Sequence, residues 1–171
     1  MAALTDSFDL GSLSMSPGEG RRLSLEVGLD DVEFSGQTYA VVPARAPVTV
    51  DVSQMTGGGW SLRLRFEAAL EGPCMRCLTA ARPAYSVDAR EIDQENGGEE
   101  LDSPYIEGDE LDLRGWARDA LALELPTQIL CKPDCAGLCP QCGLDLNDNP
   151  DHEHEREPDP RWAALKDLEF E

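Results

Sequence analysis

The residues with the most chemistry to offer are six cysteines and two histidines. Cys74 and Cys77 form CMRC, preceded by Gly-Pro, and Cys139 and Cys142 form CPQCG. In a CPxCG knuckle two thiolates grip one ion, and the glycine relaxes the tight turn that follows. Cys131 and Cys135 are separated by three residues, and His152 and His154 follow Cys142 in an acidic stretch. These are soft and borderline donors, which suit zinc. A chain with no secretory leader is expected to use cysteines as ligands rather than as disulfides.

Eight donors are twice the four that a structural zinc ion takes. The most economical partition assigns Cys74, Cys77, Cys131 and Cys135 to one ion and Cys139, Cys142, His152 and His154 to a second. The first set would clip a sheet to the segment leaving a helix and close a loop of more than fifty residues. The second would fold a polar tail too small to hold itself together. Single-ion schemes compete with this partition. Cys131, Cys135, Cys139 and Cys142 could share one ion, or the two CxxC pairs could meet around one. The histidines could also be solvated tail residues.

Other chemistry is poorly provided for. A redox CxxC needs a lowered thiol pKa, typically at a helix N-terminus after a parallel strand, and neither pair sits there. Catalytic zinc needs an open position and a base, and there is no HExxH or deaminase-type HxE. TGGGWS (56–61) has neither the P-loop lysine nor Rossmann spacing, and it suits a hairpin turn. The expectation is a protein without catalytic residues.

Thirty-four acids face fourteen bases, giving a formal net charge of -20. Nucleic-acid binders usually present a basic stripe, so this balance argues against binding of DNA or free RNA and favours a basic protein partner. Arg63, Arg65, Arg76 and Arg82 lie within twenty residues and could still form a local RNA- or partner-contacting patch. The N-terminus shows no positive-then-apolar leader and no apolar run reaches the roughly 18 residues of a membrane span, so a cytoplasmic protein is expected.

The elements that must position these residues are mainly strands. Leu23, Leu25, Val27 and Leu29 alternate, as do Val48, Val50 and Val52. Trp60, Leu62, Leu64, Phe66 and Ala68 face one way while Arg63, Arg65 and Glu67 face the other, which makes 48–68 a hairpin around TGGG. Pro43 and Pro47 predict a bend or an edge between them, and AYSVDAREID resumes a strand. Residues 88–112, with eleven acids and one base, read as a solvated acidic loop. Leu113, Trp116, Ala117, Ala120 and Leu121 then fall at helical spacing, with Asp112 as N-cap and Pro126 near the stop. The fold class is α+β: an antiparallel sheet of about four to six strands, flat or barrel-like, covered by one main helix, with a zinc-stabilised C-terminal segment. Its divisions are a flexible lead at 1–20, a sheet-and-helix domain at 21–130, and a Cys/His-rich tail at 131–171 with a short helix from Asp159.

On CMRCL (74–78), the proline-ended WARDALALELP and CKPDCAGLCPQCGLDLN (131–147), the chain resembles the YceD family, the large ribosomal RNA subunit accumulation proteins. The resemblance covers nearly everything after the lead. HEH stands where many members carry Cys-x-Cys, a departure that preserves ligand chemistry. The resemblance implies a non-enzymatic factor for accumulation, maturation or assembly of large-subunit ribosomal RNA, acting on a precursor large subunit. A basic ribosomal protein is the expected contact ahead of naked rRNA. The alternatives are an acidic chaperone or adaptor for such a protein and, behind it, a metal-dependent RNA-processing enzyme, which would need clustered carboxylates with magnesium.

Overall fold

A computed structural model describes residues 5–34, 36–94 and 97–154. Its elements are β1 (Ser7–Asp9), β2 (Gly20–Gly28), β3 (Val32–Phe34), β4 (Gln37–Val42), β5 (Arg45–Gln54), β6 (Trp60–Pro73), β7 (Ala80–Ala81), β8 (Ala84–Asp93), β9 (Ile106–Glu107), β10 (Glu110–Asp112) and one helix, α1 (Leu113–Glu124). The chain divides into two units, one ending at Cys135 and the other beginning at Ala136.

In the first unit the strands build an open seven-stranded antiparallel sheet and a separate three-stranded one. The fold is an antiparallel sheet with a helix, as expected, but it is not a closed barrel, and its strands outnumber the four to six read from the sequence. Two features account for the difference. At fourteen residues, β6 is long enough to take two partners end to end along one edge: β5 over Trp60–Arg65 and β4 over Ala69–Glu71. Its other edge pairs with β8 and then β7. The chain bends at Pro43 and Ala44 between β4 and β5. Pro47, which has no N–H to give a ladder, stands in β5 opposite Glu26 of β2, and the β5–β6 ladder begins at Thr49.

Alternation decides which face is dry. Val48, Val50, Val52, Trp60, Leu62, Leu64, Phe66, Ala68 and Leu70 are buried on the inner face, and Arg63, Arg65 and Glu67 lie on the outer one. Helix α1 packs against β8, β2 and β1. Because β2 and β8 are the outer strands of the order β2-β5-β6-β8, contact with both means that the sheet curls around the helix. Leu113, Trp116, Ala117, Ala120 and Leu121 are the buried helix residues, as their spacing predicts. Asp112 accepts a hydrogen bond from the Gly115 N–H at 2.9 Å, which satisfies one of the free donors of the first turn. Asp112→Ala is expected to cost about 1 kcal/mol in thermal or urea unfolding, as for other N-cap losses.

The small sheet lies where the sequence suggested loops. β10 is central, with β1 on one side and β9 on the other. Within the stretch read as a flexible lead, Phe8 pairs with Leu111, and Leu10 is fully buried. Within the acidic stretch 88–112, β8 runs to Asp93, and Leu111 is buried between exposed Glu110 and Asp112. A strand needs only alternate residues to be apolar, so an acidic composition does not prevent one. The register sets Asp9, Glu110 and Glu107 side by side across the three strands. Among the described residues these carboxylates have no ion-pair partner, and like charges in cross-strand positions repel.

In the second unit the described residues, 136–154, form no helix or extended strand, only an isolated antiparallel bridge between Leu138 and Asp145. The short helix expected from Asp159 lies outside the described residues. Among those described, no helix is long and apolar enough to cross a membrane.

Candidate functional site

Each unit holds one cluster of four candidate ligands. The first is built where β6 ends. Cys74 follows Gly72 and Pro73, and a Cβ on Gly72 would fall 2.3 Å from the ring of Tyr39 in β4. Glycine therefore lets this fully buried ring lie directly on the strand, from where its hydroxyl donates to the Pro73 carbonyl at 2.9 Å. Gly72→Val is expected to destabilise the protein by about 1–3 kcal/mol through this overlap, measured by thermal unfolding. Beyond Pro73 the chain turns tightly. The Leu78 N–H donates to the Cys74 carbonyl at 3.0 Å, the Cys74 N–H donates to the Thr79 carbonyl at 2.7 Å, and Leu78 takes a left-handed conformation (φ 62°).

The segment leaving α1 docks on this turn. The Met75 N–H donates to the Ile129 carbonyl at 2.9 Å, and the Ile129 N–H points to Met75 Sδ at 3.3 Å. Arg76 spans the junction, donating from Nη1 to the Cys135 carbonyl at 3.0 Å and from Nε to Gln128 Oε1 at 3.2 Å. The result is a cluster of the Cys74, Cys77, Cys131 and Cys135 sulfurs, all within 4.8 Å of one another. The Cys74–Cys135 and Cys77–Cys131 separations are 3.8 and 3.6 Å. A tetrahedral ion with metal–sulfur bonds of about 2.3 Å would set sulfurs about 3.8 Å apart, so the cluster has the dimensions of a four-thiolate centre. Cys74, Cys77 and Cys135 are buried.

The electrostatics prepare some of these thiols to be thiolates. Burial pushes Cys74 up, but N–H donors from Cys77, Arg76 and Cys131 outweigh it and bring its pKa down to about 6. The Thr79 hydroxyl and N–H lower Cys77. Cys131 moves the other way, to about 12, through burial and then the neighbouring sulfurs of Cys77, Cys135 and Cys74. Four thiols packed this closely cannot all ionise without a cation among them.

The second cluster lies within 136–154. The Gly143 N–H donates to the Cys139 carbonyl at 2.8 Å, the Cys139 N–H donates to the Leu144 carbonyl at 2.8 Å, and Gly143 has φ 75°, the conformation that favours glycine after the knuckle. Asp145 Oδ1 accepts from the Asn147 N–H at 2.8 Å, and Asn147 Oδ1 accepts from the Ala136 N–H at 2.9 Å, which pins the loop. His152 Nε2 lies 3.2 Å from Cys142 Sγ, His154 Nε2 lies 3.2 Å from Cys139 Sγ, and the two Nε2 atoms are 2.9 Å apart. Backbone N–H groups of Cys142 and Gln141 lower the Cys139 thiol to about 7. Two sulfurs and two imidazole nitrogens converging this way could hold a second tetrahedral ion.

The model of the family described as "Large ribosomal RNA subunit accumulation protein YceD" matches residues 62–169, which include all eight candidate ligands. The chain belongs to the YceD family. Its relatives include an uncharacterized protein of Mycobacterium tuberculosis, 39% identical over 103 residues, which are 57% of this chain and 49% of the relative. An uncharacterized protein of Mycobacterium leprae is 29% identical over 94% of this chain and 76% of its own length. The uncharacterized protein YlbN of Bacillus subtilis is 27% identical over 63% of this chain and 67% of its own. The chain thus spans about half the length of the M. tuberculosis relative it matches. No solved structure matches it.

In this YceD family member the eight donors fall into the two sets of the two-ion partition. Among the described residues Cys131 and Cys135 meet Cys74 and Cys77 within the first unit, and Cys139 and Cys142 meet the histidines within the second. The four arginines singled out as contacts each have an acceptor within the fold. Arg63 grips Asp88 with two hydrogen bonds of 2.7 and 2.5 Å, and Arg65 pairs with Asp51 at 2.6 Å. Arg82 pairs with Glu71 at 3.0 Å, and Arg76 is committed to the cysteine turn. Arg22, beyond that set, also holds Asp51, at 2.6 Å. The Arg22 and Arg63 guanidiniums hold the carboxyls of Asp51 and Asp88 below the usual range. The pairs therefore stabilise the fold at neutral pH, and that contribution is lost as pH falls through those lowered values. Sequence reasoning passed over Tyr39, Ile129 and Asn147, which hold the ligand turns from a distance no spacing rule reveals.

Proposed function

We propose that this protein is a non-enzymatic factor, held together by two structural zinc ions, that promotes accumulation of large-subunit ribosomal RNA by acting on a precursor large subunit. The observation that carries this reading is the family match, whose span takes in both ligand clusters. The donor sets, four thiolates in one and two thiolates with two imidazoles in the other, are those that structural zinc favours. Each set is a closed four, without the open coordination position a catalytic ion keeps.

The contact is a basic ribosomal protein on the assembling particle rather than bare rRNA. Among the described residues Arg22, Arg63 and Arg65 on the outer sheet face are paired with carboxylates, though Arg45 and Arg90 are not, and Asp9, Glu107 and Glu110 have no ion-pair partner. That distribution suits a cationic protein surface and supports the second reading, an acidic adaptor for one ribosomal protein. The factor works in the cytoplasm.

The test is capture of the tagged full chain from gently lysed cells, with and without ribonuclease. Retention of precursor large-subunit RNA, lost with its proteins on digestion, fits action on the particle. One basic ribosomal protein surviving digestion fits the adaptor. Absence of large-subunit components from both samples would overturn the proposal. Arg63→Ala combined with Arg65→Ala is expected to leave the captured RNA unchanged, and its loss would put the outer sheet face in contact with RNA.

A further inference from the structure

The two clusters differ in how many of their ligands are buried and in how firmly the surrounding structure holds them. In the first, Cys74, Cys77 and Cys135 are 0, 4 and 1% exposed. Cys74 accepts backbone hydrogen bonds from Cys77, Arg76 and Cys131. The cluster joins the end of a fourteen-residue central strand to the segment after α1, and Ile129 beside it is fully buried. Cys131 is the one ligand that is not buried, so an incoming chelator meets a single accessible sulfur while the other three lie behind packed structure.

In the second cluster Cys142 and His154 are exposed, His152 is half-buried, and Cys139 is the one buried ligand. Metal-binding histidines usually donate their other ring N–H to a carboxylate or carbonyl, which fixes the ring and tightens the site. Among the described residues neither Nδ1 has such a partner; the hydrogen-bond contacts of both rings run through Nε2. The surrounding segment cannot compensate by burial. Leu138 and Leu146 are half-buried, Leu144 is 39% exposed, and among the described residues one isolated bridge is its only ladder. With so little apolar surface removed from water, residues 136–154 depend on ligation to offset the entropy of ordering them.

We infer that the second cluster is an exchangeable zinc site whose occupancy sets whether residues 136–154 are folded, while the four-cysteine cluster, three of whose ligands are buried, keeps its ion. This rests on the zinc reading above. The arrangement makes residues 136–154 responsive to zinc supply: as free zinc falls, they unfold and the sheet-and-helix unit remains intact.

The experiment uses the zinc-loaded full chain and a chromogenic zinc chelator, 4-(2-pyridylazo)resorcinol. Zinc release is followed by absorbance, ions per chain by native mass spectrometry, and folding by amide hydrogen exchange. Two ions are expected, leaving in two phases separated by on the order of tenfold or more, the scale on which supporting hydrogen bonds alter metal affinity. The fast phase should coincide with loss of amide protection in 136–147 and leave that of 60–79 unchanged. Cys142→Ser should hold one ion, lack the fast phase and keep the protection of the first unit. Two ions leaving in one phase, or a first ion whose loss exposes 74–79, would overturn the inference while leaving the zinc reading standing. A chain that takes up no zinc would overturn both.

Discussion

Cys135→Ser is expected to lower the metal content from two ions per chain to one and to depress the thermal midpoint by about 10 °C. Binding free energies of structural zinc are on the order of 10 kcal/mol and become folding free energy when the site exists only in the folded chain. Losing even a third of that, about 3 kcal/mol, corresponds to roughly 6–12 °C for a domain of this size. Cys135 is 1% exposed, its carbonyl receives Arg76, and its sulfur lies 3.8 Å from Cys74. The substitution therefore weakens the grip of the post-helix segment on the β6–β7 turn as well as removing a ligand. Differential scanning calorimetry with native mass spectrometry checks it. A variant that still carries two ions, or that melts within about 2 °C of the parent, a shift worth under 1 kcal/mol, would remove the four-cysteine centre from the account of stability.

The second large effect lies under the helix. Trp116 is 2% exposed and stacks on Tyr105 with ring centroids 6.3 Å apart. It stands midway between Leu113 and Ala120 on the face that α1 turns to the sheet. Trp116→Ala removes the largest side chain of that face, and a loss of about 3–5 kcal/mol in urea unfolding is expected. Tyr105 adjoins β9, and its carbonyl receives the Asp112 N–H at 2.8 Å. Loosening should therefore spread into the three-stranded sheet, visible as faster amide exchange over 105–112. Unchanged exchange there would mean that the small sheet is held independently of the tryptophan.

Much of the main sheet was legible in the sequence because its strands bury one face and wet the other. Trp60 to Ala68 and Val48 to Val52 carry an unbroken period of two, and burial follows it residue by residue. The helix was legible for the same reason, with Asp112 and Pro126 marking its ends. The three-stranded sheet was not, because strands of two or three residues are shorter than any period they could display. Phe8 looks like a stray apolar residue until it pairs with Leu111, a hundred positions away, and so does Leu10 until the fold buries it. Spacing offered the two-set division of the cysteines and histidines as the most economical of several, and only the fold brings Cys131 and Cys135 to Cys74 and Cys77. The arginines were not legible, since whether Arg63 is free or held depends on Asp88 lying diagonally across the β6–β8 ladder, two residues from Arg63's register partner Arg90. Charge counts ignore register.

The connection between β8 and β9 runs inside a circuit closed on one side by Cys77 and Cys131, whose sulfurs are 3.6 Å apart. With both ends of the circuit fixed by the sheet and the cysteines, the length of that connection is nearly free of thermodynamic consequence. Doubling a loop adds only about 0.6 kcal/mol of closure cost. Insertions between Asp93 and Ser103 should therefore accumulate over evolutionary time while the spacing inside each cysteine pair stays fixed, making this the natural place to splice in a reporter domain.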